Sequence, residues 1–212
     1  IAIETAKADW NSFEQSWNFL GTPWKNISPR ASNCWNIWNK TTMERIARMQ
    51  ATEEEINSIL TKCYNVESVI KIDIPVNQIT LARADREKDC QRFVSYAIGC
   101  MMGRYSLDEP GLIYAHAGNE GFAPTRYTQF PADADGILPL TQTHWFPDDT
   151  AARVREFVRA VWGPDTLEEN LAWLAESLGQ KTGEAPDETL RRYLADKFFK
   201  DHLQTYKKRP IY

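Results

Sequence analysis

Hydrophobic and polar positions along the chain follow a helical period over most of its length. In residues 4–20, Glu4, Asp9 and Glu14 alternate with Trp10, Phe13, Trp17 and Leu20 at spacings of three and four. Gly21-Thr22-Pro23 ends that helix, and a loop to about residue 32 carries the turn signal Ser28-Pro29. From 33 to about 64 the period resumes through Ile46, Met49, Ile56, Leu60 and Cys63, with Glu53 as its one polar break. Thr52 followed by Glu55 has the form of a capping box that would split this element, although one long or gently broken helix fits better. Such a helix serves either as a bundle member packed on residues 4–20 or as a rigid spacer between larger bodies. Residues 66–82 read as extended, since Pro75 blocks a helix among β-branched neighbours. A strong helix over about 84–105 presents Phe93, Tyr96, Ala97, Cys100 and Met101 on one face. Its Gly99 and Gly103 are costly inside a helix and predict close approach of another backbone. A short strand over 110–115, an irregular stretch over 116–147, and helices over 148–162, 165–178 and 186–206 complete the chain. Pro186 sits at a first-turn position of the last helix.

The 212 residues carry 25 basic and 29 acidic side chains, a formal net charge of −4. That balance is no footprint for a dedicated nucleic-acid binder, whose domains are usually strongly basic. The second half is the acidic one, so any phosphate contact has to be local, and Lys207-Lys208-Arg209 is the clearest basic spot. Five of the eight tryptophans (Trp10, Trp17, Trp24, Trp35 and Trp38) fall in the first 38 residues, with few basic neighbours to accompany base stacking. They are therefore expected in the core. Cys34, Cys63, Cys90 and Cys100 form no C-x-x-C pair, and no histidine lies at ligand spacing, which argues against structural zinc. They read as reduced thiols of a cytoplasmic protein, with Cys63 and Cys100 in the core. No apolar run approaches the ~18 residues of a membrane-spanning helix. The chain opens on Ile1 and stops abruptly at Pro210-Ile211-Tyr212, as expected of a piece of a longer protein.

Motifs that carry chemistry are missing. There is no G-x-x-x-x-G-K-[ST], no G-x-G turn for a dinucleotide or methyl-donor cofactor, no G-x-S-x-G elbow, and no adjacent proline pair of the kind found in loops gripping a flipped adenine. The acidic runs Glu53-Glu54-Glu55, Asp148-Asp149 and Glu168-Glu169 read as helix-start or polar-face charges. No catalytic or metal-binding residue is nominated.

Several long blocks do resemble a known family. The run from Phe93 through Gly99, Gly103 and Asp108, followed by Pro110-Gly111-Leu112-Ile113, is similar to a block of the PglX adenine-specific DNA methyltransferases of BREX bacteriophage-exclusion systems. So are Asp9-Trp10 to Ser16-Trp17, Ile74 to Leu81, and the ending from Asp201-His202 to Tyr206 and Lys207-Lys208-Arg209-Pro210-Ile211-Tyr212. The resemblance implies a parent enzyme that uses S-adenosylmethionine to methylate adenine N6 in double-stranded DNA. This segment would follow the catalytic core as a connector and the entry to the recognition side, without cofactor residues of its own. The alternative is a helical module that docks other defence-system subunits or a phage inhibitor. The expected fold is mainly α, a helical bundle or spacer with one long helix and at most a small strand pair. It is expected to form either two subdomains, 1–82 and 83–212, or one continuous domain. Candidate phosphate contacts are Arg104, Lys207, Lys208 and Arg209; an internal salt bridge or helix cap is an equal reading for Arg104.

Overall fold

The computed structural model describes residues 1–116 and 120–207. The helices in chain order are α1 (Ala2–Trp10), α2 (Ala31–Tyr64), α3 (Arg86–Met101), α4 (Thr150–Trp162), α5 (Leu167–Ser177), α6 (Pro186–Tyr193) and α7 (Phe199–Thr205). A π turn over Leu194–Phe198 joins the last two, so the helix expected over 186–206 is one run with a widened turn inside it. No strand occurs among the described residues, and the fold is mainly α. The expected strand at 110–115 is instead an extended segment. It is tied by isolated bonds from the Gly111 and Ile113 amides to the Leu20 and Arg104 carbonyls.

Local chemistry sets the helix starts. The Asp85 carboxylate accepts from the Lys88 amide at 3.1 Å and Asp149 from the Ala152 amide at 2.8 Å, satisfying first-turn donors of α3 and α4. Glu188 reaches back to the Ala185 amide to open α6 behind Pro186. α4 ends at Gly163, whose φ of +87° suits a residue without Cβ.

α3 is the centre of the molecule. From Phe93 to Met101 every residue is buried, as in a helix surrounded by neighbours on all sides. The Phe93 ring stacks on Trp162 at 4.7 Å and meets Trp24 at 5.2 Å and Phe157 at 5.4 Å. Val154, Phe157 and Val158 of α4 and Leu171 and Leu174 of α5 close the same core. Ala31, Cys34 and Trp38 join it from the first turns of α2. A smaller cluster of Ile46, Met49, Ile79 and Leu81 holds the middle of α2 against residues 74–81. Gly103 lies beyond α3, not inside it, with φ +72°; a Cβ there would stand 2.8 Å from the Phe122 ring. The close approach expected there comes from a side chain, not a backbone.

The N-terminal segment departs most from its pattern. α1 stops at Trp10, because Ser12 Oγ bonds back to the Ala8 carbonyl and Ser16 Oγ turns to Asn11 Oδ1. Successive turns then carry Phe19 and Trp24 into the core. Trp10 and Trp17, expected inside, are 56% and 91% exposed, whereas the polar Asp9 and Glu14 are buried. The last turns of α2 behave alike. The helix is continuous, with Thr52 bonding the Arg48 carbonyl within it and not capping, yet Ile56, Ile59, Leu60 and Tyr64 face outward. Thr61 is the buried residue there. Cys63, expected in the core, is exposed; Cys100 is buried as expected.

Candidate functional site

Where the N-terminal turns meet the end of α7, a cleft of about 370 Å³ opens between Trp10, Trp17, Phe19, Tyr105, Leu112 and Tyr206. The Gln15 side chain ties the two segments by donating to the Thr205 carbonyl at 3.4 Å. Phe19 and Tyr105 form the floor, edge to face at 5.4 Å. Both are almost fully buried, while the two indoles of the wall stay open to solvent.

Glu14 is the acidic group of this cleft. Its Oε2 accepts from Ser95 Oγ at 2.7 Å, which anchors the carboxyl to α3; its Oε1 is buried. Burial pushes the Glu14 carboxyl up to about 7, against the pull of Ser95, Arg104, Tyr206 and Arg92 toward the charged form. The Tyr206 hydroxyl is buried beside the Glu14 carboxyl and the Tyr105 hydroxyl, and burial raises it well above the ordinary phenol range. Arg104 stands on the cleft wall. Its Nε donates to the Tyr105 hydroxyl at 3.2 Å, and its guanidinium lies 5.5 Å from that ring. Lys207 lies at the other side of the cleft, just past α7, exposed and with φ +53°. Of the four candidate phosphate contacts, Arg104 and Lys207 are therefore brought to one cleft; Lys208 and Arg209 lie outside the described residues. Sequence reasoning missed Glu14 because it shares the period of the polar face, and only the contact with Ser95 marks it as buried.

Other reactive groups are occupied elsewhere. The fully buried Asp149 carboxylate meets Arg191 at 2.7 Å and His144 Nδ1 at 2.8 Å. It pins the loop before α4 onto α6. Despite burial, those bonds and the Ala152 amide keep it below the usual carboxylate range. Burial holds the Cys90 and Cys100 thiols up at about 12, far from a nucleophilic thiolate. Among the described residues no group of histidine, cysteine and carboxylate side chains could hold a metal ion. No helix among them is long and apolar enough to cross a membrane.

No protein-family model matches the chain. Two curated proteins do. "Adenine-specific methyltransferase BrxX" of Escherichia coli O9:H4 (strain HS) is 43% identical over 239 aligned positions, which take in 100% of this chain and 20% of the relative. "Adenine-specific methyltransferase PglX" of Lacticaseibacillus casei (strain Zhang) is 38% identical over 220 positions, covering 99% of the chain and 18% of the relative. Along its whole length the chain is homologous to PglX-type adenine-specific methyltransferases. It spans about a fifth of the length of those relatives. The PglX-type blocks around Trp10 to Trp17, Gly103 to Leu112 and Tyr206 to Lys207 thus contribute neighbouring walls of one cleft.

Proposed function

We propose that this chain is the connector and DNA-facing segment of a PglX-type adenine-specific DNA methyltransferase in a bacteriophage-defence system. Methyl transfer then belongs to another part of the parent enzyme. The observation that carries the connector reading is α2. Its 34 residues reach ~50 Å at ~1.5 Å per residue. One end is locked into the main core through Ala31, Cys34 and Trp38, while Ile56, Ile59 and Leu60 at the other remain exposed. A helix seated at one end with an apolar surface at the other suits a strut to a second body. On this reading S-adenosylmethionine, required by the parent's reaction, would be held by the catalytic part of the parent enzyme. Arg104, Lys207, Lys208 and Arg209 are the proposed phosphate contacts. The exposed end of α2 also favours a second reading, in which that surface docks another defence-system subunit.

Titration of the 212-residue chain with duplex DNA across salt concentrations tests the main reading. Weak binding that falls steeply with salt is expected. Tight, salt-insensitive, sequence-specific binding, or methylation of DNA by this chain alone, would overturn it.

A further inference from the structure

A single seam runs along α2, and its two halves differ in cover. Trp38, Thr42, Met49, Ile56 and Cys63 follow one another at spacings of four and seven, which keeps them on one face of the helix. Trp38, Thr42 and Met49 are buried, whereas Ile56, its neighbours Ile59 and Leu60, and Cys63 face solvent. The cover of the first half comes from α1, which runs antiparallel to α2. Just past the end of α1, Ser12 Oγ accepts from Arg45 Nη1 at 3.2 Å, and Ser12 and Phe13 share a small cavity with Trp38. At its start, Ala2 packs on the cluster that contains Ile46 and Met49. Thr5 and Asp9, on the face of α1 that carries Ala2, are buried. The covered part of the seam thus stops beside Met49, where α1 starts. The 14 positions from Met49 to Cys63 make ~21 Å of helix, and α1 continued backward from Ala2 runs along them.

We propose that the second half of the seam is covered by an amphipathic helix of the parent protein that leads directly into Ile1. α1 is then the last part of a longer helix packed antiparallel on α2. The occupant needs about 14 residues before Ile1, with apolar side chains continuing the spacing of Ala2, Thr5 and Asp9. Continuity with the existing α1–α2 interface favours this occupant over a second copy or another subunit, because a separate helix would have to stop against the start of α1. No side chain caps that start, so the first-turn amides of α1 can bond a preceding turn. The relatives have room for such a helix, since this chain spans 20% and 18% of their lengths. The assignment rests on the connector reading above, in which another part of the parent comes before this segment, and names how the two are joined. Ile56, Ile59 and Leu60 become the core of a two-helix strut.

Cys63 reports on the seam, because Cys34, Cys90 and Cys100 are buried. Its rate of reaction with a maleimide, read by mass spectrometry of the Cys63 peptide, is compared in three proteins. These are the full-length parent, the 212-residue chain, and that chain extended by the ~20 parent residues before Ile1. Fast labelling is expected in the 212-residue chain. In the extended chain Cys63 should react at least about tenfold more slowly at every protein concentration. Far-UV circular dichroism should show about 14 more helical residues there. Ile56→Glu should restore fast labelling of the extended chain, yet leave the melting temperature of the 212-residue chain unchanged. Equal rates in the short and extended chains overturn the proposal. So does a slowing that grows with protein concentration, the mark of a second copy on the seam. If Cys63 is then slow only in the full-length parent, another body covers the seam and the connector reading survives. Fast labelling there as well would mean that this end of α2 meets nothing, and both fail.

Discussion

In α4 and α5 the apolar period points inward: Val154, Phe157 and Val158, then Leu171 and Leu174, are all buried. Between residues 1 and 20 the same kind of period points the other way. Ile3, Trp10, Trp17 and Leu20 face solvent, while Thr5, Asp9 and Glu14 are buried. The last turns of α2 repeat that inversion, with Ile56, Ile59 and Leu60 out and Thr61 in. Local rules that fail at particular places mark sites kept for something other than stability. Here the inverted regions coincide with the candidate cleft and with the exposed end of α2. The helices of residues 150–205 form the larger part of the frame behind the core.

Substitutions should separate frame from site, and the largest effect belongs to the frame. Phe157→Ala, which empties a fully buried position contacting Phe93, Tyr96 and Phe130, is expected to cost about 3–5 kcal/mol in chemical denaturation. Asp149→Ala should cost about 3 kcal/mol, because it removes the α4 cap and leaves Arg191 beside an empty position. A loss under 1 kcal/mol would mean that the loop before α4 is held by other contacts.

Glu14 gives a smaller and pH-dependent effect. Its folded-state value is raised by burial from 4.5 to about 7, so its contribution is fully present below pH 4.5 and is lost as pH rises through about 7. Melting curves should therefore show Glu14→Gln more stable than the parent by about 2 kcal/mol at pH 9, with little difference at pH 4. A constant difference across that range would show that the carboxyl stays ionised. Smallest of all, Trp17→Ala should change stability by no more than about 0.5 kcal/mol, despite removing the largest side chain type. A loss comparable to that of Phe157→Ala would erase the distinction between the two regions.

Much of the frame was legible in the residues. The α2 helix, the start of α3 after Asp85, the start of α6 at Pro186 and the apolar faces of α4 and α5 follow from period and capping chemistry. The candidate cleft was legible only in pieces. Arg104 and Lys207 stood out as basic residues, but their shared cleft depends on segments far apart in the chain. Trp10, Trp17 and Glu14 carried no distinguishing signal. Aromatic residues usually mark a core, and a carboxylate at a polar-face position usually marks a surface. Cys63 was misplaced for the same reason: its heptad position is sound, but the buried face of that end of α2 is the one carrying Thr61.

The amino-acid sequence by itself determined where α3, α4 and α6 begin and where α4 ends, because caps, prolines and terminal glycines act through bonds a few residues apart. The tertiary structure decided which face of residues 1–20 is buried and which residues gather at the cleft. The Ser95–Glu14 bond joins positions 81 residues apart, and the N-terminal turns lie where α3 and α7 leave room for them. Burial depends on the surface that a segment meets, and no periodicity within the segment encodes that surface.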